Sequence, residues 1–386
     1  MADVQILEPD LNFIRKVGAL GGEDLKKCYQ CATCSVACTI TPENQPFPRK
    51  EMIAASWGLK DKLVKNADIW LCHNCGDCTT LCPRTAKPGD VLAAVRAYTV
   101  SEYATPKPLA MAVQDPKKLP ILLALPAAII LITGLIFNMF GLGWMNFAPE
   151  GDHLWQADYF SNYMVDIIMI PTFNAAIIVF ALGLKRFLAD IHQNALAEGK
   201  TEKTTIDPVG FIQALIRTVP AILKHQKFNE CTENLERSTA HMMVMFGFIG
   251  CFIVTACFFI AEWVLFIEGP YPQISPVKWI ANVSGIFLII GGSLLLRNRM
   301  KKTDSINSYW DWSLLGLVLA LGITGMLTET ARLMGLYGLS AIIYFLHLVF
   351  VWSLFAYTPF SKLAHLVYRT VAITYAEYSG RGFKLG

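Results

Sequence analysis

Charge is what this chain has least of. Asp, Glu, Lys and Arg make up 16% of its 386 residues, against about 25% in a water-soluble domain. With a mean hydropathy of +0.42, much of the chain is expected in lipid. A net charge of +3 is too small for a polyanion site, so no nucleic-acid partner is expected. The G-x-G-x-x-G, P-loop and flavin fingerprints are absent, so any substrate chemistry must lie in other subunits. Met1–Asp10 has no apolar stretch of signal-peptide type, which argues against an exported disulfide framework. Strand signals are also nearly missing, so the expected fold is all-α.

Cysteine, by contrast, is organised. Eight of eleven fall into two copies of C-x2-C-x2-C-x3-C: Cys28, Cys31, Cys34, Cys38 and Cys72, Cys75, Cys78, Cys82. This run holds [4Fe–4S] cubanes, three close thiolates serving one cluster and the fourth reaching the other. One cluster is therefore expected on Cys28, Cys31, Cys34 and Cys82, and the second on Cys38, Cys72, Cys75 and Cys78. Zinc knuckles use paired C-x2-C steps and have no use for a third cysteine plus an outlier. Cys231 and Cys257 are read as structural.

The charge that exists is unevenly spread. Residues 1–103 read as a soluble helical, ferredoxin-like domain, with Leu11, Phe13, Ile14 and Val17 and then Met52, Ile53, Trp57 and Leu63 at helical spacing. Residues 104–118, rich in Pro and Lys, read as a linker. Residues 119–386 read as a membrane domain of b-type cytochrome kind. Its six apolar segments, about 119–140, 164–184, 242–267, 279–296, 312–331 and 339–360, each approach the ~20 residues that cross a ~30 Å hydrocarbon core. Lys185, Arg186, Arg217, Lys224, Lys227, Arg297, Arg299, Lys301, Lys302, Lys362 and Arg369 mark one side. Loops 141–163 and 268–277 contain no Lys or Arg. The positive-inside rule then makes both termini cytoplasmic in a multi-pass inner-membrane protein. Residues 207–228, with Asp207 as cap and Pro208 at the first helical position, read as an interfacial helix without chemistry.

Three of seven histidines lie in or at the ends of spans, where an ionisable ring is costly and points to function. His347 and His365 are eighteen residues apart. On one continuous helix that is about five turns, with both rings on one face and about 27 Å of rise between them. His241 opens the third span level with His365, so this pair is expected to hold an inner b haem. His347 is expected to serve a second, outer haem, its partner being Cys251, His153 from the far loop, or nothing. Asp166, Glu262, Glu329 and Arg332 lie near the outer span ends, where they could line a quinol site and gate protons.

The stretches "CYQCATC" and "WLCHNCGDCTTLCPR" resemble the iron–sulfur subunits of heterodisulfide reductases. "HMMVMFGFIGC" (241–251) resembles the haem helix of the respiratory nitrate reductase γ subunits and the related heterodisulfide reductase cytochromes b. Their haem histidines lie on spans corresponding to the third and sixth here. Two departures stand out. Cys38 is followed by Thr39 rather than proline, and Cys251 stands where the nitrate reductase pattern has a second histidine. A cluster domain fused to such a cytochrome is similar to the membrane subunits of the quinone-interacting membrane-bound oxidoreductases of sulfate-reducing prokaryotes. That resemblance implies menaquinol as electron partner, flavin- and iron–sulfur-containing cytoplasmic subunits, and adenylylsulfate reductase downstream. Within the same class it leaves open a heterodisulfide reductase membrane arm or a sulfite-reduction complex. A haem-free anchor for an iron–sulfur adaptor is the reading from a different class.

Overall fold

The computed structural model describes residues 8–151, 154–226, 236–301 and 308–381. Of the residues named above, His153, Lys227, Cys231 and Lys302 lie outside these. Among the described residues the secondary structure is helical, with an isolated antiparallel bridge between Met145 and Phe160.

The N-terminal part is built from α1 (Leu11–Val17), α2 (Thr33–Val36), α3 (Arg49–Ser56), α4 (Lys60–Val64), α5 (Asp68–Leu71), α6 (Asp77–Thr80) and α7 (Pro88–Tyr103). Asp10 starts α1 by accepting from the Phe13 amide at 2.9 Å, the usual service of an N-cap carboxylate. The apolar residues of α1, α3, α5 and α7 meet in one core around Phe13, Met52, Trp70 and Val95. Residues 104–118 hold a further helix, α8 (Lys107–Gln114). Pro106 is extended before it and Pro108 falls in its first turn, where the missing N–H costs nothing; Ala110 and Val113 are buried.

Six helices are long and apolar enough to cross a membrane. They contain α9 (Leu119–Met139), α11 (Asn162–Ala197), α13 (Glu236–Trp263), α14 (Pro276–Lys301), α15 (Tyr309–Leu333) and α16 (Tyr337–Tyr357). The short α10 (Gln156–Tyr159) lies in the connection before α11. Only 17–33% of their most apolar windows is buried inside the protein, leaving wide apolar faces for lipid. Helix α12 (Pro208–Leu223) starts where Asp207 accepts from the Gly210 amide at 2.7 Å. It buries Ala214, Thr218 and Ala221 and leaves Val209, Ile212 and Ile216 exposed.

Two helices tie the cluster domain to the bundle. With 36 residues, α11 is about 54 Å long and outruns the bilayer, so Phe187, Ile191 and Ala195 join the N-terminal core. Helix α17 (Ala364–Tyr378) contributes Tyr368, Ala372 and Tyr375 to the same core. Trp70 stacks on Tyr368 at 5.6 Å, and Phe187 meets both rings edge-on. Asp68, fully buried, binds Lys50 (2.7 Å), Lys200 (3.1 Å) and Arg381. Three chain segments thus converge on one carboxylate, which holds its pKa far below the carboxylate range against the opposing effect of burial.

One expectation fails here. The chain from His347 to His365 is not one continuous helix: α16 ends at Tyr357, a 3-10 turn covers Thr358–Phe360, and Ser361 is extended (φ −105°, ψ 176°). Pro359 lacks the N–H that an α-helix would need at that point. The five-turn count therefore does not relate the two rings. His347 is ten residues from each end of α16, in mid-bundle rather than towards the far face.

Candidate functional site

The two cysteine motifs fold alike. Gln30 and Asn74, two residues after the first cysteine of each, have positive φ (59° and 51°). So do Ala32 and Gly76 (70° and 108°), just before α2 and α6. These left-handed residues curl each loop back over its first thiol, so the Gln30 amide donates to Cys28 Sγ at 3.4 Å and the Asn74 amide to Cys72 Sγ at 3.3 Å. The Ala86 amide donates to Cys82 Sγ at 3.4 Å. Helices α2 and α6, carrying Cys34 and Cys78, pack against each other.

The packing crosses the motifs. Burial pushes the Cys34 thiol up to about 11, and Cys28, Cys31 and Cys82 add to the effect. Burial pushes Cys38 up to about 12, with help from Cys72 and Cys75 rather than from its own motif. Cys78 is raised by burial and then by Cys72, Cys75 and Cys38. The last cysteine of each motif thus lies close enough to feel, or be felt by, thiols of the other motif. Among the described residues no three His, Cys, Asp or Glu side chains close on a point as one metal ion requires.

Beside the second set opens a cavity of about 1350 Å³ that runs into the bundle. It begins at Asn74 and Cys75, passes His241 and His365, and reaches Cys251 and His347. Its entrance is charged, with Arg237, Arg299 and Lys362 beside Asp90 and Asp311, and Asp311 pairs with Arg299 (3.1 Å) and Lys362; its depth is apolar, with Leu288, Val318, Leu321 and Phe355. Such a space suits an amphiphile with a broad apolar body and a charged end.

The hydrogen bonds fix the histidine tautomers. His365 Nδ1 lies 2.5 Å from the Lys362 carbonyl, which can only accept, so Nδ1 carries the proton. Thr324 donates its hydroxyl to the Ala320 carbonyl (2.6 Å) and therefore accepts from His347 Nδ1 at 2.9 Å. Gly325 lets that ring lie against α15, since a Cβ there would stand 3.1 Å from His347 Cε1. His241 Nδ1 is 2.9 Å from His225 Nε2, and His225 Nδ1 is 3.4 Å from the Leu223 carbonyl. Burial lowers the pKa of His225, so it is neutral. It donates from Nδ1 and accepts at Nε2 from His241. All three cavity histidines thus keep Nε2 as the lone-pair nitrogen, the form in which imidazole binds iron. His192, in contrast, is a satisfied core residue bonded to Tyr375 (2.8 Å) and the Thr204 carbonyl.

His225 was missed from sequence: it ends a helix read as having no chemistry, and only the fold turns it onto His241. Arg237, one turn before His241, was missed as well; it donates to the Asn74 carbonyl at 3.2 Å and joins α13 to the second thiol loop. The four residues expected at a quinol site form two groups, neither lining the histidine cavity. Asp166 accepts from Trp263 Nε1 at 2.7 Å, with Glu262 and Tyr344 close by. Glu329 accepts from Gln156 (2.9 Å), Lys278 (3.0 Å), Arg332 (2.8 Å) and Gln273. That network spans four segments and has the look of a brace.

A redox-type iron–sulfur domain on a bundle of membrane-length helices is the class these observations define. The family model for a 4Fe-4S dicluster domain matches residues 24–86. Over 88 residues the chain is 35% identical to the C subunit of the H2:CoB-CoM heterodisulfide, ferredoxin reductase of Methanothermobacter marburgensis, covering 22% of this chain and 47% of that protein. It is 34% identical over 104 residues to the iron-sulfur C 2 subunit of the CoB–CoM heterodisulfide reductase of Methanocaldococcus jannaschii, covering 25% and 55%. The chain thus spans about half the length of these relatives. A third similarity runs nearly end to end: 26% identity over 378 residues to citrate utilization protein B of Escherichia coli, covering 90% of this chain and 89% of that one. No solved structure matches the chain.

Proposed function

We propose that the chain is a membrane electron conduit between a quinol in the bilayer and a cytoplasmic partner. In this reading Cys28, Cys31, Cys34 and Cys82 hold one [4Fe–4S] cluster, and Cys38, Cys72, Cys75 and Cys78 hold the second. His241 and His365 hold a b haem at the entrance of the cavity. His347 with Cys251 is the candidate pair for a second. When bound, these groups supply one-electron carriers in series.

The residues have definable tasks. The Gln30, Asn74 and Ala86 amides donate to sulfur and stabilise thiolate charge. Lys362 (through its carbonyl), His225 and Thr324 hold the histidines in the Nε2 lone-pair tautomer. Arg237 faces the anionic edge of a ligand whose apolar body fills the depth of the cavity. At the far end Asp166 and Glu262 are the better candidates to pass quinol protons, since Glu329 and Arg332 are engaged with each other. The Lys and Arg distribution supports a cytoplasmic cluster domain with both termini inside. Flavin- and iron–sulfur-containing subunits are the expected partners, with adenylylsulfate reductase downstream, as the resemblance to the sulfate-reducer oxidoreductases implies.

The observation that carries this reading is the single cavity joining the second thiol loop to three histidines of one tautomer. Pyridine haemochrome quantitation with a reduced-minus-oxidised spectrum, alongside iron and sulfide analysis, tests it. One or two b haems with about eight iron and eight sulfide per chain are expected. Iron without haem would reduce the chain to an anchored iron–sulfur adaptor.

The end-to-end similarity to citrate utilization protein B favours a second reading: the same conduit serving citrate utilization rather than sulfur metabolism. Co-purification of the tagged chain with its native partner decides between them.

A further inference from the structure

The two thiol sets meet different surroundings. Cys72 and Cys78 are each only 9% exposed, and their loop adjoins the histidine cavity and the Arg237 contact. The first set looks outward. Cys31 is exposed, and around it Tyr29, Val36 and Leu81 are 70%, 86% and 58% exposed. Bulky apolar side chains left in water around a redox ligand mark a contact surface.

The rim of this patch is positive. Lys26 and Lys27 directly precede Cys28 and are exposed. Arg49 donates from Nε to the Gln30 carbonyl at 3.0 Å, and the Arg84 guanidinium lies 4.1 Å over the Tyr29 ring. Of the two acids before Lys26, Asp24 is buried and shared between Lys27 (2.5 Å) and Lys87 (3.2 Å), and Glu23 alone is exposed, against four exposed cations. A second copy of this chain is a poor occupant, because a two-fold contact would set the positive rim against itself. An acidic rim complements it.

We propose that this face is the docking surface for an acidic-rimmed redox protein whose own one-electron centre lies near its surface. Electrons cross there between that centre and the cluster of Cys28, Cys31, Cys34 and Cys82. The proposal rests on the two-cluster reading above. One centre loses an electron as the other gains it, and no bond forms or breaks. The second cluster, buried beside the histidines, then faces the membrane side of the path.

Flavodoxin, a small acidic flavin protein, serves as the probe. Photoreduced flavodoxin is mixed with the full-length detergent-solubilised protein in anaerobic stopped flow, with iron and sulfide measured on every sample. The rate is expected to fall about tenfold from low to high salt, and about tenfold in the double variant Lys26→Glu/Arg84→Glu with clusters intact. Val36→Glu should slow transfer similarly, whereas Lys62→Glu on α4 should not. Basic cytochrome c, used as acceptor, should react faster with the double variant. Unchanged flavodoxin rates in cluster-replete variants would overturn the proposal. So would a Val36→Glu protein that changes oligomeric size or vesicle attachment while keeping its rate. A parent protein without clusters would overturn the cluster reading itself.

Discussion

The two cysteine loops have the same spacing and the same left-handed residues, yet one opens to solvent and the other is sealed against the bundle. Their local geometry comes from sequence within a dozen residues. Their difference comes from what packs on them: little on the Cys31 side, and α7, α13 and α17 on the Cys72 side. Arg96 shows the contrast. Half-buried, it donates to the Cys72 carbonyl at 2.7 Å, whereas Arg49, which holds the Gln30 carbonyl of the first loop, is exposed. Repetition supplies two like carriers, and tertiary context gives them unlike neighbours.

Exchanging one ligand per loop should break this comparison most severely. Cys82→Ser should remove the cluster of the exposed loop, and Cys38→Ser that of the buried loop, each lowering iron from about eight to about four per chain. Electron paramagnetic resonance of the reduced variants checks which signal remains. Loss of the cluster in the substituted residue's own motif would refute the crossing.

Histidine variants sharpen the membrane side. His365→Ala should remove the entrance haem and its low-spin signal, while His347→Ala should leave that haem in place, as measured by haemochrome content. A smaller effect is expected at His225. His225→Ala removes the acceptor that orients His241 and should weaken haem retention about 10–100-fold, the usual cost of losing such a partner. Titration of stripped protein with haemin measures it.

A more local effect concerns the ion cluster around Asp68, beneath the buried loop. Glu51, enclosed beside Asp68, is pushed up to about 8 by burial and by the Asp68 charge, against the pull of Lys50. Unfolded, the same carboxyl titrates near its ordinary 4.5. Between these values the folded chain holds one more proton than the unfolded chain, so stability falls as pH rises from about 4.5 to about 8 and then levels. Glu51→Gln should flatten that slope in melting curves taken from pH 6 to 8.5.

The two cysteine loops were legible because their spacing is a local code. The six long helices were legible because lipid demands length and apolarity, which composition records directly. The histidines were legible only one at a time. Their convergence depends on α12, α13, α16 and α17 meeting at one cavity, which no local pattern encodes. Pro359 was a visible warning that the last span breaks, and treating 347–365 as one helix overlooked it. Lys278, one residue beyond a loop noted for its lack of cations, pairs with Glu329 at 3.0 Å; only the fold shows that partner.

The central claim is that quinol electrons reach the clusters through histidine-bound haem. Adding a reduced menaquinone analogue to the anaerobic full-length protein, and following the haem band optically and the clusters by freeze-quench resonance, tests it directly. The account predicts haem reduction first and cluster reduction after it, with both lost in His365→Ala while iron content is unchanged. Clusters reduced by quinol at the parental rate in that variant would contradict it.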